Sequence, residues 1–438
     1  MKGEWRTMTL REARVTLIDC DHRTPPAADA GYPYVAIPQL RAGRLDLSDV
    51  RRISREHYVE WTRKANPRAN DVVLSRRCNP GETAVAPADL EFALGQNLVL
   101  LRADGTEVYP PFLRWLVRGP EWWKQIGKFI NVGAVFDSLR CADVPNFELR
   151  IPPIPQQREI AHILGTLDDK MELNRRVSET LEAMARALFK SWFVDFDPVR
   201  AKAEGRDSGL PKPLADLFPA RLVDSELGDI PEGWAGGRLG DLVCQRTERC
   251  LPSGETAALP YVPIDCISPK SLFLTESKSG DEAQSSLTKF YKGDLLFGAM
   301  RPYFHKVCIA PFDGTTRTTA FVLYPGQRAD FAFTALLLHH PDTIDFATRH
   351  STGSTIPYAV WRDSLENMPV ILPPSDVREV FDKVVGPLLM RIPAPYFENR
   401  TLAALRNTLL PKLISGELRI PTSPALWRQG AAGETLSR

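Results

Sequence analysis

The 438-residue sequence lacks the segments that mark membrane and secreted proteins. It contains no apolar run of the roughly 18 residues needed to cross a bilayer, and its N-terminal stretch has no apolar signal-peptide core. Its seven cysteines are odd in number and include no CxxC pair. Neither a disulfide framework nor a metal site with the usual ligand spacing is therefore indicated. We expect a cytoplasmic protein with reduced thiols and no bound metal.

The common catalytic motifs are also missing. The sequence contains no GxxxxGK[ST] loop, no HExxH, no GxSxG and no GxGxxG after a strand. The Asn/Asp-Pro-Pro-aromatic tetrapeptide of N6-adenine methyltransferases is absent as well. These absences favour a binding or scaffolding protein. An enzyme remains an alternative, because the members of a catalytic triad are scattered along a sequence and cannot be read from it.

Composition and charge are those of an ordinary globular protein of two or three domains. Hydrophobic residues make up 43% of the chain and charged residues 25%. The formal net charge is only +1, which excludes a uniformly basic nucleic-acid coat protein. It leaves open a protein that is basic on one face alone.

What the sequence does contain is a repeat of about half its length. Six segments of the first half recur in the same order in the second half, at offsets of about 220 to 230 residues. Three clear pairs are PYVAIPQL with PYVPIDCI, NDVVLSRR with GDLLFGAMR, and ELRIPPIPQQREI with PVILPPSDVREV. Short β-branched runs, turn residues and interspersed helical stretches predict two duplicated α/β or α+β domains.

Each half ends in a proline-opened helical stretch. In the first, apolar residues alternate at three- and four-residue spacings from Gln156 to Trp192, a pattern typical of a coiled-coil seam. In the second, Gly386-Pro387 and Pro393–Pro395 predict two pieces at about 375–391 and 396–415. The obvious partner of each helix is the other one. The predicted core of this helix pair comprises Ile160, Leu164, Leu167, Asn174, Leu181, Leu188, Asn399, Leu402, Leu405 and Leu409.

These features divide the chain into consecutive segments. The predicted segments are a first domain (1–153), a central long helix (154–194), a linker (195–230), a second domain (231–373), a distal helical region broken near 386–395 (374–418) and a flexible tail (419–438).

Basic and polar residues cluster at the ends of predicted strands in both halves. Arginine suits bidentate contacts to guanine or phosphate. Surface solvation is the alternative for any single residue, so the prediction rests on recurrence, with Arg76 placed against Arg301. The candidate DNA-binding residues are Arg41, Arg44, Arg76, Arg77, Asn79, Lys292, Arg301, Lys306 and Arg317.

Four stretches together resemble the specificity (S) subunit of type I restriction–modification systems. They are IPPIPQQREIAHILGTLDDKMELNRR, DFDPVRAKAEG, ELGDIPEGW and ENRTLAALRNTLLPKLISGEL. The resemblance implies two target recognition domains, each reading half of a split site in double-stranded DNA. It also implies that the two long helices pack as an antiparallel coiled coil, which sets the spacer between the half-sites.

The same resemblance implies the partners. An S subunit docks two methyltransferase (M) subunits, which bind S-adenosylmethionine, and restriction (R) motor-nuclease subunits join the complex. The S subunit itself has no catalytic residues and holds no cofactor. Two other hypotheses remain at this point: a diverged DNA-modifying enzyme, and a coiled-coil scaffold without DNA specificity.

Overall fold

The computed structural model describes residues 4–133, 137–274, 276–392 and 394–420. The predicted tail, 419–438, therefore lies outside the described residues from 421 onward. Among the described residues, none of the helices is both long enough and apolar enough to span a bilayer. The chain forms two compact units: the first comprises Met1–Asp169 with Leu402–Arg438, and the second comprises Lys170–Thr401.

The first unit combines short strands with helices. Its strands are β1 (Arg6–Thr9), β2 (Val15–Asp19), β3 (Tyr32–Val35), β4 (Leu40–Arg41), β5 (Arg44–Leu45), β6 (Arg51–Ile53), β7 (Val72–Ser75), β8 (Thr83–Val85), β9 (Ala93–Leu94), β10 (Leu98–Ala103) and β11 (Glu148–Ile151). Its helices are α1 (Arg55–Trp61), α2 (Pro110–Leu116), α3 (Pro120–Phe129) and the first part of α4 (Ile154–Phe193).

The central sheet of the first unit is antiparallel, with strand order β2-β10-β7-β8. Strand β1 pairs with β11, and β3 lies between β6 and β9 in a smaller sheet. Strands β7 and β10 of the central sheet bury nearly continuous apolar runs, whereas the edge strand β2 is partly exposed. The core packs Phe112, Trp115 and Trp122 of α2 and α3 against these strands and against Leu164 and Leu413 of the long helices.

The second unit has the following elements. Its strands are β12 (Leu222–Val223), β13 (Ile230–Pro231), β14 (Ala235–Arg238), β15 (Val243–Gln245), β16 (Arg249–Cys250), β17 (Leu287–Phe290), β18 (Leu295–Gly298), β19 (Val307–Ile309), β20 (Gly314–Arg317), β21 (Ala320–Pro325) and β22 (Pro369–Leu372). Its helices are α5 (Asp197–Ala203), α6 (Lys212–Ala215), α7 (Gly254–Ala257), α8 (Phe331–His339), α9 (Pro341–Arg349), α10 (Ser375–Arg391) and α11 (Ala394–Ser415), of which α11 continues into the first unit.

Strand order in the second unit repeats that of the first. Its central antiparallel sheet runs β15-β21-β18-β19, and β14 pairs with β22 as β1 pairs with β11. Two helices follow β21, just as α2 and α3 follow β10. The third sheet differs, since it is β16-β17-β20 here and β6-β3-β9 in the first unit. Mixed helix and strand content is thus confirmed, and the largely antiparallel pairing makes both units α+β.

The predicted linker, 195–230, is structured and packed. It contains α5, α6 and the hairpin strand β12, where at most one short helix was expected. Phe196, Val199 and Phe218 are buried in the core of the second unit, against Trp192 and Trp234. The buried aromatic side chains thus fix this segment to the second unit, although its prolines and charges are typical of a linker.

The distal helical region forms two pieces close to the predicted ones. Helix α10 ends at Arg391, as predicted, and continues through Gly386 and Pro387, where the sequence also suggested an interruption. Helix α11 begins at Ala394, within the interval predicted for the break, and includes Pro411. Proline removes only one backbone donor, and burial of the apolar side chains around it offsets the lost hydrogen bond.

The long helix α4 buries a row of residues that only partly matches the predicted seam. Ile160, Leu164 and Asn174 are buried as expected, whereas Leu167, Leu181 and Leu188 are only half-buried. The buried row also includes Asp168, Ser178, Glu182, Ala185 and Phe189. The apolar face of α4 is wide enough for either of two neighbouring rows to be buried.

Helix α11 shows the same shift. Leu405 is 46% exposed, so its assignment to the helix-pair core is wrong. Leu402, Leu409 and Asn399 are half-buried, while Leu413 is buried. Since Leu413 lies two helical turns beyond Leu405, heptad spacing alone does not show which of the two reaches the core.

Candidate nucleic-acid interface

In the first unit, two of the predicted DNA-binding residues, Arg41 and Asn79, line one cleft. The cleft has a volume of about 840 Å³ and is bounded by the segment after β3, the β4 strand and the loop after β7. Its polar lining supplies both donors and acceptors, as reading of base edges requires. The polar lining residues are Thr24, Tyr34, Gln39, Arg41, Asp49, Arg51, Asn79 and Gln96.

The exposed side chains at this cleft differ in how firmly they are held. Arg51 donates from Nη1 to the Pro25 carbonyl at 2.8 Å, and Gln96 donates to Thr24 Oγ1 at 3.0 Å. Arg41 is exposed and lies 3.3 Å from Asp46 in an ion pair at the surface. Asn79 is exposed at the rim. Exposed ion pairs stabilise a fold little, so Arg41 can exchange its partner for phosphate at low cost.

Arg76 and Arg77 precede this rim. Arg77 is exposed, and Arg76 is half-buried with Nη2 3.5 Å from His22 Nε2. The next residue, Cys78, has a left-handed backbone with φ of 63°, which turns the chain sharply after β7. The turn brings Cys78 and Asn79 to the cleft.

Arg44 does not belong to this interface, contrary to the prediction. Its Nε lies 3.9 Å from Asp168 and its Nη2 lies 3.8 Å from Asp169, both on α4. Arg114 and Arg406 also reach Asp168, at 3.4 Å and 2.8 Å. Arg44 therefore forms part of a network around the Asp168 carboxylate, which is 2% exposed. The charge of Arg44 thus stabilises the fold.

In the second unit, the corresponding turn after β18 carries Arg301. Arg301 and His305 have left-handed backbones, with φ of 51° and 53°, and flank a single 3-10 turn. Within this turn Tyr303 is 49% exposed and Phe304 is 45% exposed. Two exposed aromatic rings beside an arginine form a surface suited to stacking and phosphate contact. The interleaving of basic and aromatic residues in RPYFHK could have revealed these two rings in the sequence, but they were missed.

The other predicted DNA-binding residues of the second unit lie at different places on its surface or support the fold. Arg317 is exposed at the end of β20. Lys306 donates from Nζ to the Ile264 carbonyl at 2.7 Å, and burial lowers its pKa, so it supports the fold. Lys292 lines a different depression, of about 280 Å³, with Pro311 and Phe397. The structure therefore does not gather Lys292, Lys306 and Arg301 at one site.

The proposed equivalence of Arg76 and Arg301 is wrong by two positions. Arg76 accepts a backbone hydrogen bond from Leu139, and its counterpart in the second unit, Ala299, accepts one from Ala359. In this register Arg301 corresponds to Cys78, and both residues have positive φ. The two turns share their backbone while their side chains differ, which is what two half-sites of different sequence require.

Polar contacts also join the long helices within the second unit. Asn174 Nδ2 donates to Glu398 at 2.8 Å and to Asn399 Oδ1 at 2.9 Å, and Lys170 lies 3.4 Å from Glu398. One turn further along α4, the Ser178 hydroxyl donates to the Ile392 carbonyl at 3.3 Å. Along these contacts, residue numbers increase on α4 while they decrease on the neighbouring segment of α11 and the end of α10.

Comparisons with known proteins agree with this architecture. Residues 21–183 match the family model of the type I restriction modification DNA specificity domain. The chain is 24% identical over 405 residues to the type I restriction enzyme HindI specificity subunit of Haemophilus influenzae, covering 80% of this chain and 86% of that protein. It is 26% identical over 386 residues to the MjaIX specificity subunit of Methanocaldococcus jannaschii, covering 84% and 82%.

A solved structure shares the fold. The crystal structure of the type I restriction–modification system S subunit from M. genitalium superposes with a TM-score of 0.55 at 16% identity, covering 94% of this chain and 96% of that one. The resemblance found in the sequence is thereby confirmed. Residues 21–183 thus match the DNA specificity domain of type I restriction–modification systems, and the chain is similar over 80% and 84% of its length to two specificity subunits of such systems.

Proposed function

We propose that each unit reads one half of a bipartite target in double-stranded DNA, the first through the cleft bordered by Asn79 and the second through the turn at Arg301. The observation that carries this proposal is the repeated strand order, with a left-handed turn after the third strand of each central sheet. The same backbone presents different side chains, so each unit can read a different sequence. Arg41, Arg76, Arg77 and Arg317 would add phosphate contacts.

We further propose that the repeat is a domain duplication and that α4 packs against α10 and α11 as an antiparallel coiled coil. The opposite run of the Asn174–Asn399 and Ser178–Ile392 contacts supports this packing. A rigid helix pair would fix the number of base pairs between the half-sites. Half-sites on one face of a duplex lie about one helical turn apart, or a multiple of it.

The partners in this proposal are two methyltransferase subunits and the restriction motor-nuclease subunits. S-adenosylmethionine would bind to the methyltransferase subunits, and this chain would supply no catalytic residue and work in the cytoplasm. An exposed apolar row on α4 supports docking there: Leu173 is 55% exposed, Val177 44% and Met184 49%. Val177→Asp should abolish co-purification of the methyltransferase subunits, whereas the exposed control Glu179→Gln should retain it. Equal recovery would reject this docking face.

The function is tested by single-molecule mapping of N6-methyladenine in cells carrying variants of this chain. Asn79→Ala should relax or abolish recognition of one half of the methylated motif, and Arg301→Ala should do the same for the other half. A lost bidentate base contact costs about 1 to 3 kcal/mol, or roughly fivefold to over a hundredfold in affinity.

A matched control is Arg221→Ala. Arg221 is an exposed arginine of the segment 195–230 in the second unit, and Glu232 is the only partner found for its side chain among the described residues. Its variant should leave the motif unchanged. Methylation that is lost equally at both half-motifs in every variant, or that persists after deletion of the gene, would contradict the assignment of one half-site to each unit.

A further inference from the structure

At the end of β2, three different metal-binding side chains converge. Asp19, Cys20 and His22 each offer one ligand atom, and these atoms all lie within 4.8 Å of one another. His22 Nε2 is 3.2 Å from Asp19 Oδ2, and Cys20 Sγ is 3.9 Å from His22 Nδ1. The local sequence IDCDH brings them together because the chain leaves the sheet directly after Asp19.

The three ligand residues differ in exposure. Cys20 is 2% exposed, whereas Asp19 and His22 lie at the surface with side chains 46% and 48% exposed. The cluster therefore has one fixed ligand and two that can adjust to a bound cation.

We propose that Asp19, Cys20 and His22 bind a zinc ion, with water in the fourth position. Sulfur, imidazole and carboxylate ligands are all accepted by zinc in four-coordinate sites. With the usual zinc bond lengths, tetrahedral sulfur and nitrogen ligands lie about 3.6 Å apart, close to the 3.9 Å between Cys20 Sγ and His22 Nδ1. Asp19, now 3.2 Å from His22 Nε2, would have to turn to the Nδ1 side of the ring, and both surface side chains have room to move.

The site is coupled to the candidate interface through Arg76. The guanidinium of Arg76 lies 3.5 Å from His22 Nε2 and can donate to it. A zinc ion bound at Nδ1 would leave the ring proton on Nε2, which could then no longer accept from Arg76. Zinc would turn Arg76 away from His22, at the start of the turn that leads to Cys78 and Asn79. The metal would hold this turn in place beside the DNA, without taking part in catalysis.

The experiment uses the full chain co-purified with its methyltransferase subunits, stripped with a chelator and titrated with Co²⁺. Cobalt replaces zinc and reports each bound thiolate by a sulfur-to-metal charge-transfer band. We expect a band that saturates at one Co²⁺ per chain and that Zn²⁺ abolishes. Cys20→Ser should remove most of it, and His22→Gln should weaken binding by at least tenfold.

Cys78→Ser is the matched control, since Cys78 is an exposed cysteine of the same unit outside the cluster. It should bind Co²⁺ as the unmodified chain does. His22→Gln guards against misfolding of the buried Cys20 variant, because His22 lies at the surface. No charge-transfer band, or a band that survives both Cys20→Ser and His22→Gln, would overturn the proposal. The readout needs no DNA, so it stands or falls separately from the proposed half-site recognition.

Discussion

The long helix α4 places one buried carboxylate in each unit, and the two are held in opposite ways. In the first unit, Asp168 is 2% exposed and lies among Arg406, Arg114 and Arg44, at 2.8, 3.4 and 3.9 Å. In the second unit, Glu182 is 3% exposed and accepts the backbone N–H of Leu272 at 2.9 Å. One carboxylate is surrounded by cations and the other chiefly by neutral donors.

The difference shows how one helix can be fixed to two domains of similar topology. Three guanidiniums around Asp168 require its negative charge, because burying them without it would leave unpaired cations. Burial lowers the pKa of Arg114, which shows the desolvation these cations already bear. Glu182 does not depend on its charge in this way, since burial raises the pKa of its carboxyl and so favours the neutral form.

The largest expected effect is therefore in the first unit. Asp168→Asn should destabilise it by about 3 to 5 kcal/mol, because it removes the anion and leaves Arg114 and Arg406 buried and unpaired. Glu182→Gln should cost the second unit only about 1 to 3 kcal/mol, since the amide oxygen still accepts the Leu272 N–H. Amide hydrogen exchange followed by mass spectrometry of peptides from each unit measures both losses in the assembled complex.

Exposed substitutions nearby provide the controls. Asp169→Asn, beside Asp168 but with a 77% exposed side chain, should change protection in the first unit by less than about 0.5 kcal/mol. Equal losses of protection in the Asp168→Asn and Glu182→Gln variants would show that the two carboxylates are held alike, contrary to their surroundings.

The sequence predicted the helices of this comparison better than their buried faces. The proline opening and apolar spacing placed α4 at 154–194, and the helix is Ile154–Phe193. The same spacing predicted Leu167 and Leu181 as core residues. The structure instead buries their neighbours Asp168 and Glu182. A wide apolar face allows two neighbouring rows to be buried, and polar residues enter the buried row only because distant residues supply partners.

The candidate interface shows the same limit. Local chemistry placed Asn79 and Arg301 at turns, but it could not show that Arg44 pairs with Asp168 across more than 120 residues of sequence. It also could not separate Lys306, held by the Ile264 carbonyl, from exposed Arg317. Long-range pairing decides which cation remains available, and a single sequence does not contain it.

A second prediction uses pH to separate the units. The fully buried histidines among the described residues, His305 and His339, both lie in the second unit. Burial lowers the pKa of His339 to about 3 from an ordinary value of 6.5. A depressed pKa contributes stability above pH 6.5 that is lost as pH falls, at up to about 1.4 kcal/mol per pH unit. The second unit should therefore lose hydrogen-exchange protection before the first between pH 7 and pH 5.

The groups facing His339 modify this slope without reversing it. Burial also lowers the pKa of His305 and His340, which adds to the loss in acid, and the charge of Arg186 acts in the same direction on His339. Glu182, 4.0 Å away, acts in the opposite direction because its raised pKa favours protonation in the folded state. His339→Gln should flatten the pH dependence of the second unit. An unchanged slope would mean that His339 does not control it.

The smallest expected change in stability is at Asn174, where the consequence for function is expected to be large. Asn174→Leu removes two hydrogen bonds, but Glu398 keeps Lys170 at 3.4 Å and Asn399 keeps the Met171 carbonyl at 3.5 Å. The net cost should be about 1 kcal/mol or less. A buried polar residue in a helix seam fixes register, because slipped alternatives leave it unpaired. With leucine at this position, a slipped register of the helices would no longer leave a buried polar group unpaired.

If the helix pair sets the spacer, the Asn174→Leu complex should methylate its usual target and also targets whose half-sites lie one base pair closer or further apart. Glu179→Gln, at an exposed position of the same helix outside the proposed docking row, should keep the single spacer. Both are measured by mapping N6-methyladenine across one genome. Methylation restricted to the original spacer in Asn174→Leu would assign register to other contacts, with the buried Asp168–Arg406 pair in the first unit as the next candidate. The charged site would then fix the position of the helix, and the amide would only add stability.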